Sequence, residues 1–394
     1  MNILMISHEY PPVGGGGANA CMNLAREYIN QGHQVTILTV WYEGTAADEE
    51  KGALHIIRLK ARRKHKEHCG FPEMMDYMLK AAWYGNGLLK KETFHVCQVF
   101  FAIPSGPVGY FLKKKYHIPY VVRFGGGDIP GFQERFQLAY KILAPFEKVI
   151  WRNADALVAN SRGLKEFAEK FYNQCPVQII PNGVSVAAFQ DLGMAGTNKE
   201  KEVLAAWDGA AGTCLRILFV SRLIERKGVQ HILPILPEVI QKTGKMLRLV
   251  IVGDGPYRPA LEEIVREHHL EDVVHFTGQK EKGELSAYYN SADIFILPSR
   301  REGMPNVVLE AMAAGLPVLM TPCEGSEELI RGNGFAVPVE DFGEKLCEFA
   351  AKPELCRKMG AESLRLVSEE FTWVRTAAAY EGIFHKIMEM QSFR

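Results

Sequence analysis

Short apolar runs alternate along this chain with stretches whose apolar positions recur at helical spacing. Residues 3–7 read as a strand, 18–31 as an amphipathic helix stopped by Gly32, and 35–40 as a second strand. Further apolar runs at 54–59, 95–101, 120–124, 156–159 and 178–180 predict more strands, with helices over 74–90 and 108–116. Such alternation implies parallel strands joined by crossover helices. The pattern breaks at Pro181-Asn182-Gly183, which is turn chemistry, and residues 191–213 are rich in Gly, Ala, Lys and Glu. A second run follows, with strands at 217–220, 248–252, 273–277, 294–297 and 317–320 and helices at 230–243, 257–267 and 282–290.

The expectation is an α/β chain of two Rossmann-like, doubly wound domains facing each other across a cleft. The first covers residues 1–190, with a closing helix over 374–394 crossing back onto it. Residues 191–213 form a linker and surface excursion, and 214–373 the second domain. A length of 394 residues suits that count, and an apolar fraction of 47% is ample for two cores. Lys+Arg and Asp+Glu both number 46, which argues against nucleic acid as a partner of the whole chain. The eight cysteines are scattered with no Cys-x-x-Cys pair, as for free thiols in a reducing compartment. The start lacks a basic leader, and no stretch reaches the ~18 apolar residues of a membrane span, so a cytoplasmic protein is expected.

The chemistry clusters where strands end. After the run at 294–297 comes Pro298-Ser299-Arg300-Arg301-Glu302-Gly303-Met304-Pro305-Asn306-Val307-Val308-Leu309-Glu310, a loop running into an apolar helix. Ligands of open parallel sheets sit beyond the carboxyl ends of strands, and a helix amino terminus there favours an anion. Carboxylates beside such an anion suit hydroxyls attached to it, which suggests a sugar or ribose carrying phosphate. Ser221-Arg222-Leu223-Ile224-Glu225-Arg226-Lys227-Gly228 follows another strand, and Arg222 and Lys227 suit a diphosphate. Gly14-Gly15-Gly16-Gly17 lets backbone approach a ligand closely. Gly15-x-Gly17-x-x-Ala20 fits a dinucleotide fingerprint, but residues 8–13 separate it from its strand, and no acid ends the second strand. An NAD-dependent dehydrogenase is therefore the last of the readings.

With these segments in order, the chain resembles glycosyltransferase family 4, retaining enzymes of the GT-B fold. The likeness also runs through Gly32-His33-Gln34-Val35, Gly253-Asp254-Gly255-Pro256, Glu328-Leu329-Ile330 and Phe371-Thr372-Trp373. It implies a metal-independent transfer of a hexose-type sugar from a UDP- or GDP-sugar to a hydroxyl of a glycan or lipid-linked acceptor. No cofactor or metal is implied, and no Asp-x-Asp segment is present. By that resemblance Arg222 and Lys227 would bind the diphosphate, Glu302 the transferred sugar and Glu310 the ribose. Gly303, Met304, Pro305, Asn306 and Val307 would meet the phosphates, joined by Gly15 and Gly16, with the base near Gly278 and Gln279. Asp128 and Asn182 would lie on the acceptor side. Many relatives carry a histidine in a His-Gly-x-Asp segment where this chain has Gly125.

Arg58, Lys60, Arg62, Arg63, Lys64 and Lys66 form a basic run followed by Phe71, Met74, Met75, Tyr77 and Met78. The run would suit peripheral contact with the inner face of an anionic membrane. The competing readings are another GT-B enzyme, such as a sugar-nucleotide epimerase or phosphorylase, and a catalytically silent sugar-nucleotide-binding module.

Overall fold

The computed structural model describes residues 1–66, 69–132, 137–190, 207 and 214–392. The chain divides into two compact units, Met1–Asn182 with Trp373–Arg394, and Gly183–Thr372.

The first unit holds eight strands: β1 (Asn2–Ile6), β2 (Gln34–Val40), β3 (Asp48–Lys51), β4 (Leu54–Leu59), β5 (Val96–Phe100), β6 (Tyr120–Arg123), β7 (Ala156–Ala159) and β8 (Val177–Ile179). Their order is β3-β4-β2-β1-β5-β6-β7-β8, parallel throughout except for the β3–β4 pair. β5, β6 and β7 are buried along their whole length, which is why they read as mainly apolar runs, with Gln98 and Arg123 as buried exceptions, rather than as alternating ones. One face of the sheet packs beneath helices Phe71–Leu88 and Ser105–Tyr116. The other packs beneath helices Gly16–Asn30 and Trp373–Ser392. Trp373, Ala377, Tyr380 and Phe384 share a core with Ala20, Leu24 and Tyr28, so the late helix is an integral layer of this early unit.

The second unit has β9 (Cys214–Val220), β10 (Met246–Val252), β11 (Val274–Gly278), β12 (Ile294–Leu297), β13 (Val318–Met320) and β14 (Gly334–Ala336). The order is β11-β10-β9-β12-β13-β14, all parallel. In each sheet the winding reverses beside one strand, β1 in the first and β9 in the second. The crevice at such a reversal is where open α/β sheets take ligands.

Three features differ from the sequence reading. Residues 183–190 belong to the second unit: Val184 bridges Thr372, and Phe189 meets Tyr289 edge-on at 5.5 Å. The helix expected over 230–243 is broken into 3₁₀ turns Val229–His231 and Leu233–Ile235 before the helix Leu236–Thr243. Pro234 and Pro237 each remove a backbone donor that a continuous helix would need. β3 and the helix Gln137–Asn153, which contains Pro145, had no counterpart among the expected elements. The linker expected at 191–213 lies outside the described residues except for Trp207, which is buried in the core of the second unit.

Candidate active site

Because β9 and β12 are neighbours across the reversal, the loops after their carboxyl ends meet. The Arg300 N–H donates to the Arg226 carbonyl at 3.1 Å, and Arg226 Nη1 donates to the Arg301 carbonyl at 2.8 Å. Gly228 makes this approach possible. Its φ is +78°, and a Cβ there would lie 1.9 Å from the Pro298 carbonyl oxygen.

The joined loops bring Lys227 Nζ to within 2.5 Å of Glu302 Oε1. Ser299, buried at the end of β12, donates its hydroxyl to the same oxygen at 2.7 Å. Burial alone would raise the Glu302 pKa, but Lys227 and Arg226 outweigh it and hold the carboxyl below its ordinary range. Glu302 is therefore a fixed, ionised acceptor. Its own N–H donates to Glu324 Oε2 at 3.2 Å. Arg222 stands two residues past the end of β9, on the same side of the sheet.

Helix Asn306–Ala313 starts at the end of this loop, with no side chain capping its amino terminus. Glu310 is buried within it, and the Tyr289 hydroxyl donates to Glu310 Oε2 at 3.0 Å. Gly303, Met304, Pro305, Asn306 and Val307 form the approach to that amino terminus. Gly325 packs so closely that a Cβ would sit 2.2 Å from the Gly303 carbonyl oxygen. Gly278 ends β11 and accepts from the Gly253 N–H at 2.8 Å, and Gln279 beyond it is exposed. The structure thus gathers Lys227, Glu302 and the 303–307 segment at the carboxyl end of one sheet. Ser299, Arg226 and Tyr289 were missed as site residues. Only Pro298-Ser299 at the strand end offered a signal for any of them.

In the first unit, Gly15 and Gly16 are exposed at the amino end of the first helix, beside the reversal at β1. Asp128 and Asn182, expected to face an acceptor, are interior groups. Asp128 accepts from the N–H groups of Ala102 at 2.6 Å and Gly125 at 2.8 Å. Asn182 accepts from buried Arg123 at 2.5 Å. Both therefore hold loops in place. The glycine at 125 has a steric cause, since a Cβ there would lie 2.3 Å from the Phe101 ring. Phe101 is itself held at φ +74°, and His8 packs against it with ring centroids 5.0 Å apart. Burial and then Arg63 lower the His8 pKa to about 3, so this imidazole is neutral. Of the basic run, Arg58 is buried and paired with Glu49 at 2.8 Å. Arg63 turns inward to the carbonyls of His65 and Lys66, which leaves Lys60, Arg62, Lys64 and Lys66 exposed. Among the described residues, one group has ligand atoms converging as for a metal: Asp48, Glu50 and His55, on the β3–β4 pair of the first unit.

Residues 14–188 match the family Glycosyltransferase Family 4, and 214–352 match the family Glycosyl transferases group 1. An uncharacterized glycosyltransferase of Methanocaldococcus jannaschii is 28% identical over 334 residues, which is 84% of this chain and 83% of that protein. Sucrose-phosphate synthase of Thermosynechococcus elongatus superposes with a TM-score of 0.82 at 21% identity, covering 99% of this chain and 100% of the other. HepE of Anabaena, solved in complex with UDP, superposes at 0.71 and 15% identity over the whole of both chains. The first family match falls almost wholly in the first unit and the second lies within the second unit, and the superpositions give the same architecture. The chain belongs to the family-4 type of glycosyltransferase and has the GT-B fold.

Proposed function

We propose that this glycosyltransferase moves a hexose-type sugar from a nucleoside-diphosphate donor to a hydroxyl of a glycan or lipid-linked acceptor. In this reading the anomeric configuration is retained and no metal ion is needed. The observation that carries it is the Lys227–Glu302 pair, backed by Ser299 and Arg226, in the crevice where the second sheet reverses. Breaking the bond from anomeric carbon to phosphate leaves positive charge on the sugar and negative charge on the diphosphate. Lys227, Arg222 and the amino end of helix Asn306–Ala313 meet that negative charge without reorganising. Glu302, already ionised, accepts from sugar hydroxyls. Glu310, oriented by Tyr289, accepts from the ribose. UDP is the first donor base to test, because the Anabaena structure holds UDP on a similar fold.

A panel of UDP- and GDP-sugars incubated with acceptor extracts, with and without a chelator, tests this reading. Free nucleotide and a new glycoside should appear together and persist in the chelator. Lys227→Ala should lower turnover by ~10²–10³, the usual effect of removing one donor from such a site. Transfer by that variant at the unaltered rate would sink the assignment. A lipid-linked acceptor would bring the chain to an anionic membrane surface, where Lys60, Arg62, Lys64 and Lys66 are the cations of the basic run able to meet it.

A further inference from the structure

β12 and β13 are neighbours in the second sheet, so the loops after their carboxyl ends run side by side. Three contacts join them. The Thr321 hydroxyl donates to the Ser299 carbonyl, the Glu302 N–H donates to Glu324 Oε2 at 3.2 Å, and Gly325 packs against Gly303. The turn that carries Glu324 is itself fixed. Buried Ser326 donates its hydroxyl to the Cys323 carbonyl at 2.8 Å, and the same oxygen accepts from the Cys323 N–H at 3.1 Å. Glu324 is thus a second carboxylate held beside Glu302 on a preorganised turn.

The fold uses only one oxygen of each acid. Lys227 and Ser299 both donate to Glu302 Oε1, and the Glu302 N–H takes Glu324 Oε2. Glu302 Oε2 and Glu324 Oε1 have no hydrogen-bond partner among the described residues, and neither is sealed from solvent. The two charges are also balanced unequally. Glu302 is paired with Lys227 and lies near Arg226, whereas Glu324 has no ion-pair partner among the described residues. Sugar hydroxyls donate readily to open carboxylate oxygens of this kind. A sugar that carries its own carboxylate would instead bring like charge against an unbalanced one, a juxtaposition that is costly.

We infer that Glu324 sets the class of sugar this enzyme takes from its donor: with Glu302 it accepts from the hydroxyls of a neutral sugar, and it turns away a uronate. The inference rests on the proposed nucleotide-sugar reading, in which Glu302 meets the transferred sugar. Glu302 supplies the attraction and keeps its charge through Lys227. Glu324 supplies the repulsive element that discrimination between two otherwise similar sugars needs.

Calorimetric titration of the full chain with UDP, UDP-glucose, UDP-galactose and UDP-glucuronate tests it, with GDP, GDP-mannose and GDP-mannuronate as the parallel series. The uronate should bind at least about tenfold more weakly than the best neutral sugar on the same base. Glu324→Gln keeps an oxygen for the Glu302 N–H and removes the charge. It should close most of that gap, with the bare nucleotide as the reference for each protein. A uronate held by the unaltered chain as tightly as the neutral sugars would overturn the inference, as would a gap that Glu324→Gln leaves untouched. Binding of bare nucleotide with no preference among the sugars would overturn it while sparing the donor reading. Binding of neither nucleotide series would overturn the donor reading itself, and this inference with it.

Discussion

Glu302 is largely covered and Glu147 is fully buried, and their surroundings drive them in opposite directions. Glu302 keeps its charge because a lysine and an arginine lie beside it. Glu147 has no hydrogen-bond partner on either oxygen, and burial, then the nearby Asp128, pushes its pKa up to about 8. An unfolded Glu titrates near 4.5. Between those two values the folded state holds a proton that the unfolded state has released, so stability falls as pH rises from about 4.5 to about 8. Glu147→Gln should flatten that slope. Urea unfolding at pH 5, 6.5 and 8 would show it, and an unchanged slope would mean Glu147 is ionised in the fold. For Glu302 the sign is reversed: its depressed pKa contributes stability above its unfolded value that is lost as pH falls through the folded one. Lys227→Ala should therefore weaken the fold as well as slow turnover, because it leaves a largely covered carboxylate with less compensation.

At the scale of elements, the second unit depends on glycines where two loops touch. Gly228→Ala would force a left-handed φ on alanine and drive its Cβ into the Pro298 carbonyl. We expect a loss of about 1–3 kcal/mol or more in denaturant unfolding, together with loss of the thermal shift expected from a UDP donor in the proposed function. Gly382→Ala is the opposite case. Gly382 lies exposed within helix Trp373–Ser392 with no atom within 4 Å of a Cβ, so alanine should stabilise by about 0.5–1 kcal/mol. These contrasts also show what could be read in advance. Lys227, Glu302 and the 303–307 turn were legible because each follows an apolar run that had to be a parallel strand. Ser299 and Tyr289 were not, because their roles arise from contacts between elements whose order in the sheet no local pattern gives. Asp128 and Asn182 misled for a related reason. A polar residue in a glycine-rich turn reads the same whether it faces a ligand or ties the turn down from inside. Helix Gln137–Asn153 was hidden by Pro145, which reads as a breaker.

At the scale of the molecule, the second unit is one continuous stretch and the first is not. The fragment 183–372 should accordingly fold alone and unfold in one cooperative transition. A broad, non-cooperative transition would show that its core needs the rest of the chain. Ending the protein at Thr372 should damage the first unit selectively, by stripping the layer that covers Ala20, Leu24 and Tyr28. The same feature sets a timetable during synthesis. A ribosome emits the eight strands of the first unit first, yet their second covering layer leaves the exit tunnel only after the entire second unit. At the usual 5–20 residues per second, roughly ten to forty seconds separate Asn182 from Trp373. Through that interval the face under helix Gly16–Asn30 lacks its second helix, so Ala20, Leu24 and Tyr28 stay partly uncovered and the unit made first is the last to be finished.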